Sequence, residues 1–150
     1  MKHLKLFENF SINEIEENNK FANDVVEDIK TISYLLEDEG FTIEYSFGIR
    51  TEKYDENGHP WIPLFVKYTD YNKIVLNGRN RRNMIDSISV KVIGNSITDP
   101  VTFQKVLKES DIKTIDRYID LLKEHLDYID PENITKKKTL MGNMDIIIKL

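Results

Sequence analysis

The feature that most narrows the folds open to this chain is a change of hydrophobic period at Gly40. Before it, apolar residues recur at Ile12, Ile15, Ala22, Val25, Val26, Ile29, Ile32 and Leu36, the spacing that lines one face of an α-helix. After it, Phe41, Ile43, Tyr45, Phe47 and Ile49 alternate with Thr42, Glu44, Ser46, Gly48 and Arg50, as in a strand with one buried and one wetted face. A helix and a strand that each bury one face need a shared core, which points to the α+β class. The helix is expected over residues 12–39. Ser11-Ile12-Asn13-Glu14 reads as a capping box, with Phe10 and Ile15 placed for a hydrophobic staple. Gly40 is the expected stop, because glycine accepts the left-handed backbone that ends many helices.

The same reasoning extends down the chain. Trp61 to Tyr68 reads as a second strand, at a sheet edge because Pro60 and Pro63 cannot donate to a ladder. Lys73-Ile74-Val75-Leu76 is a third, closed by the hairpin signal Asn77-Gly78. A fourth carries Ile88, Val90 and Val92 on one face and stops near Gly94-Asn95. Asp99-Pro100 is expected to open a helical stretch, with aspartate as N-cap and proline at the first helical position. After a break near Ser110-Asp111, a second long helix shows Ile112, Ile115, Ile119, Leu122, Leu126 and Ile129, and Asp130-Pro131 ends it. Lys136 to Met141, a Gly142-Asn143 turn and Met144 to Leu150 read as a final hairpin. The expected architecture is two long helices packed on one face of a mostly antiparallel sheet of five to six strands, in one domain over residues 1–150.

Composition removes several classes of function. A chain of 150 residues that is 40% hydrophobic can build a core without a disulfide or a structural metal. The absence of cysteine rules out thiol nucleophiles and thiolate metal sites, and it fits a reducing compartment. A formal net charge of −5 argues against a broad nucleic-acid surface or a contact with anionic membranes. No apolar run approaches the ~20 residues that a membrane span requires.

The most distinctive polar segment is Asn77-Gly78-Arg79-Asn80-Arg81-Arg82-Asn83. Arg79, Arg81 and Arg82 on one turn can grip a phosphate or carboxylate bidentately. They can equally serve as a solvated tip that keeps a sheet edge soluble. Lys136-Lys137-Lys138 reads best as edge protection on the final hairpin. None of His3, His59 and His125 has metal-ligand spacing from another, and His59 belongs to what reads as an ordinary polar loop. Asp116, Asp120 and Glu124 share a helical face, but Lys113, Arg117 and Lys123 among them suit a solvated face with ion pairs. No phosphate loop, dinucleotide fingerprint or nucleophile elbow occurs, so no catalytic residue, metal ligand or cofactor is expected and nothing points to an enzyme.

The first ten residues, Met1-Lys2-His3-Leu4-Lys5-Leu6-Phe7-Glu8-Asn9-Phe10, resemble leaders of small accessory and internal head proteins of large tailed bacteriophages. Such leaders are cut after a glutamate preceded by Leu-x or Ile-x, a pattern that Leu6-Phe7-Glu8 fits. The order of helix, strands, helix and strand is also similar to that of small phage neck and tail-completion proteins. The resemblance makes residues 1–10 a leader or short N-terminal arm. It implies a non-enzymatic accessory protein of the bacterial cytoplasm or the virion, a neck or head component acting through a protein partner or as a homo-oligomer. The residues themselves leave open the capture of an anionic ligand or a host factor through the Arg79–Arg82 turn.

Overall fold

A computed structural model describes residues 12–50, 64–70, 84–139 and 141–150. Helix α1 (Ile12–Glu37) is followed by strands β1 (Thr42–Arg50) and β2 (Leu64–Lys67), then a 3-10 turn at Tyr68–Asp70. Strands β3 (Met84–Ile93), β4 (Ser96–Thr98) and β5 (Lys105–Leu107) precede helix α2 (Glu109–His125). A second 3-10 turn at Pro131–Asn133 leads into β6 (Ile134–Lys138) and β7 (Asn143–Lys149). Five strands form one antiparallel sheet in the order β2-β1-β3-β7-β6, and β4 pairs with β5 in a separate hairpin. The chain is therefore α+β.

Gly40 acts as the sequence pattern requires. Its φ is +95°, and its amide donates to Glu37 O at 3.0 Å while the Phe41 amide donates to Leu36 O at 3.1 Å. These two bonds satisfy the last carbonyls of α1, and the buried pair Leu36 and Phe41 closes the cap with an apolar contact. Because the cap takes Phe41, the strand starts one residue later than the alternation suggests.

Strand register then sorts the side chains into two faces. On one, Val66, Phe47, Ile88, Ile148 and Ile134 lie in a row across all five strands. Tyr45, Val90 and Ile146 make the next row, and Ile43, Val92 and Met144 a third. Helices α1 and α2 cover this face with Val25, Val26, Ile29, Ile115, Tyr118 and Leu122. Ile43 and Tyr45 are only partly buried, because they lie toward the β2 edge. The opposite face carries a row of alternating charge, Glu44, Lys91, Asp145 and Lys137.

Helix α1 is also held by hydrogen bonds. The β3–β7 ladder ends at the pair Ser87 and Lys149, and the register against β1 shifts beyond Gly48. There the Ile85 amide donates to Asn19 Oδ1 at 2.9 Å, and Asn18 Nδ2 donates to Ile85 O at 2.8 Å. A backbone position beyond the end of a ladder is thus satisfied by two side chains of the helix.

Two expectations are overturned. Helix α2 stops at His125 rather than at Asp130-Pro131, where Asp130 instead caps the second 3-10 turn by accepting from the Glu132 amide at 2.9 Å. Asp99-Pro100 does not open a helix; it opens the turn of the β4–β5 hairpin. Asp99 Oδ1 accepts from Val101 N at 2.7 Å, and the Asp99 and Gln104 backbones close the loop at 2.8 Å. Aspartate followed by proline suits the first two positions of a type I turn as well as a helix start. Ser11 and the Lys73–Leu76 segment lie outside the described residues.

Candidate functional site

Two places present chemistry that the core does not use. The first is the tip of the β4–β5 hairpin. Val101 is 83% exposed, Phe103 81% and Ile97 47%, and Met141 on the neighbouring β6–β7 turn is 69% exposed. Phe103 also has a φ of +57°, in the left-handed region that side chains other than glycine and asparagine seldom adopt. An exposed aromatic in such a backbone makes no contribution to the core that would offset its conformational cost.

The hairpin is nonetheless firmly seated. Leu107 at its base is buried in the main core. Against its flank lies Gly142, where a side chain would meet Ser96 Cβ at 2.9 Å and the Lys105 carbonyl carbon at 3.2 Å. Only glycine permits that approach of the β6–β7 turn. The apolar tip is thus presented on a braced element.

The second place is a cleft of about 220 Å³ at the β2 edge. Pairing between β1 and β2 runs from Ser46 to Ile49, and the 3-10 turn follows Lys67 directly. Beside Ile43 to Tyr45 of β1 this leaves an opening lined by Lys30 of α1, Lys67, Tyr68 and Thr69, with Glu44 also on its wall. Tyr68 donates to Glu27 Oε1 at 2.5 Å, and Lys30 Nζ is 3.5 Å from the same oxygen. The ammonium lies 4.3 Å from the centroid of the Tyr68 ring and 5.9 Å from that of Tyr45, within cation–π range of both. The Tyr68 hydroxyl bond, followed by the Lys30 charge, holds the Glu27 carboxyl below its ordinary range. Burial and the Glu27 bond together push the Tyr68 hydroxyl up to about 12.

Deeper, between the helices, Ser33 Oγ donates to Ile29 O at 2.8 Å and so accepts from Tyr118 OH at 2.6 Å. Burial raises the Tyr118 hydroxyl well above the ordinary phenol range. The Tyr45 hydroxyl is raised too, by burial first, and it makes no hydrogen bond among the described residues.

Residues singled out in the sequence fare unevenly. Arg79, Arg81 and Arg82 lie outside the described residues, as do His3, His59 and Trp61. Lys136, Lys137 and Lys138 occupy the edge strand β6, where Lys136 donates to Asp116 of α2. That pair commits one of the three carboxylates that share a helical face, Asp116, while Asp120 and Glu124 are exposed. Among the described residues, no group of three or more histidine, aspartate or glutamate side chains is arranged to hold a metal ion. His125 Nε2 lies 3.1 Å from Thr31 Oγ1 and joins α2 to α1. No helix among the described residues is long and apolar enough to cross a membrane.

No family model matches the chain, and neither a curated protein nor a solved structure matches it significantly. Neither the hairpin tip nor the cleft was legible beforehand. The one local signal for the tip is two large apolar residues, Val101 and Phe103, within a turn that begins Asp99-Pro100.

Proposed function

We propose that the protein is a non-enzymatic docking protein and that the β4–β5 hairpin tip is the face it offers to a partner. The observation that carries this reading is the exposed Phe103, held in a left-handed backbone at the end of a braced hairpin. A preorganised aromatic anchor flanked by Val101 and Ile97 suits an apolar socket on another chain, since little ordering is left to do on contact. Burying Phe103 and Val101 there contributes about 1.5–3 kcal/mol each. The resemblance of Met1 to Phe10 to phage leaders supports placing this docking in a bacterial cytoplasm or a virion, as a neck or head accessory.

The test replaces Phe103 by a photo-crosslinking analogue in the full chain and compares it with the same analogue at Lys113, an exposed position on α2. A discrete adduct from position 103 and none from position 113 supports the reading. A second copy as the adduct identifies a homo-oligomer. Equal labelling from both positions refutes it. For the phage assignment, mass spectrometry of purified virions should find the chain as a stoichiometric component; its absence from virions and from infected cells would end that assignment.

A further inference from the structure

We infer that the cleft between α1 and the β2 edge is a binding site for a small anion carrying a flat or apolar group, an aryl carboxylate or aryl phosphate. The opening arises where the edge pairing ends at Lys67 and the chain turns up as the 3-10 segment, so its walls come from four separate elements, α1, β1, β2 and the 3-10 turn. Its cationic groups are Lys30 and Lys67. Glu27 holds Lys30 at 3.5 Å and over the Tyr68 ring, so this ammonium is already oriented. An ammonium has three donors, and Glu27 takes one side of it, which leaves donors free to meet an anion. Lys67 makes no ion pair among the described residues. Thr69 adds a hydroxyl on the same wall.

The choice of anion follows from what is already occupied. A cationic ligand would compete with Lys30 for the Tyr68 ring and for Glu27, both of which are engaged. Of the other lining residues only Glu44 is acidic, and it belongs to the sheet face opposite Ile43 and Tyr45, whereas two of them are lysines. The apolar part of the ligand is suited to Ile43 and the two tyrosine rings. At about 220 Å³ the cleft exceeds the ~150 Å³ cavity that accepts benzene, so one ring with its charged substituent fits. This site is separate from the hairpin tip and stands or falls independently of the docking reading.

The experiment titrates the full chain with benzoate, phenyl phosphate, inorganic phosphate and benzylamine, following the backbone amides of Glu44, Tyr68 and Thr69 by heteronuclear NMR. Saturable shifts at these amides are expected for benzoate or phenyl phosphate, with a dissociation constant near ~1 mM. Weaker binding of inorganic phosphate shows that the ring contributes; equal binding shows a plain anion site and removes the ring from the inference. Lys30→Gln should weaken the aryl anion about tenfold or more, whereas Lys113→Gln, on an exposed part of α2, should leave it unchanged. A melting curve confirms that Lys30→Gln is folded, and Lys67→Gln supplies a second, independently folding variant. Preference for benzylamine, shifts that never saturate, or affinities indifferent to both lysine changes would overturn the site.

Discussion

Replacing Asn19 tests whether α1 is positioned by hydrogen bonds as well as by apolar contact. Asn19 is only 3% exposed, and its Oδ1 is the acceptor for the buried amide of Ile85. In Asn19→Leu the Ile85 amide keeps its burial and loses its acceptor. Leaving a buried donor unpaired costs about 1–3 kcal/mol, and leucine recovers only part of that through its apolar surface. Asn19→Ala adds a void to the same loss, so about 2–3 kcal/mol is expected. At this chain length each kcal/mol moves the melting temperature by about 2–4 °C, so Asn19→Ala should melt roughly 4–12 °C lower. Asn18→Ala removes the donor to Ile85 O, which is less buried, and should cost about 0.5–1.5 kcal/mol. Because both side chains act on one residue, the double variant should deviate from additivity. Asn23→Ala is the control: its amide bonds only to Asn19 O in its own helix, and about 0.5 kcal/mol or less is expected. Chemical denaturation followed by circular dichroism reads all five variants. A loss for Asn19→Ala no larger than that for Asn23→Ala would refute the reasoning.

Other expectations follow from single groups. Gly40→Ala meets no atom within 4 Å, so its cost is that of the left-handed backbone alone, about 1–2 kcal/mol by denaturant titration. Phe103→Gly, at the one left-handed position among the described residues that is not already glycine, should be neutral or slightly stabilising in the same assay. Tyr118→Phe should cost about 1 kcal/mol by removing a donor from Ser33, while Tyr45→Phe should cost nothing or stabilise, since its hydroxyl is buried and unpartnered. The Tyr68 hydroxyl is raised on folding to about 12, so its contribution is fully present below the ordinary phenol value near ~10 and is lost as pH rises through about 12. Tyr68→Phe should flatten the fall in stability across that window; an unchanged alkaline profile would show that Tyr68 does not carry it.

What could be read from the sequence was local and periodic. The α1 stripe, its stop at Gly40 and the alternation in β1 are set by neighbours a few residues apart, and the structure keeps them nearly as expected. The α2 stripe was legible too, except that Tyr118 belongs to its buried face, where Ser33 satisfies its hydroxyl. Asp99-Pro100 misled because one dipeptide suits two structures, and pairing of Ser96–Thr98 with Lys105–Leu107 decides between them. The cleft had no local signature at all. Lys30, Tyr45 and Tyr68 come from different elements, and the bond that holds Tyr68 joins it to Glu27, 41 residues away. The support for the hairpin tip is equally distant, since Gly142 reaches it from the β6–β7 turn.

The claim that the hairpin tip is the working face is tested most directly by one affinity. The partner captured at position 103 is titrated calorimetrically with the full wild-type chain and with Phe103→Ser. An anchor residue of this kind should account for ~2 kcal/mol or more, so the dissociation constant should rise by about 30-fold or greater while the melting temperature barely changes. An unchanged dissociation constant would contradict the account and move the working face elsewhere.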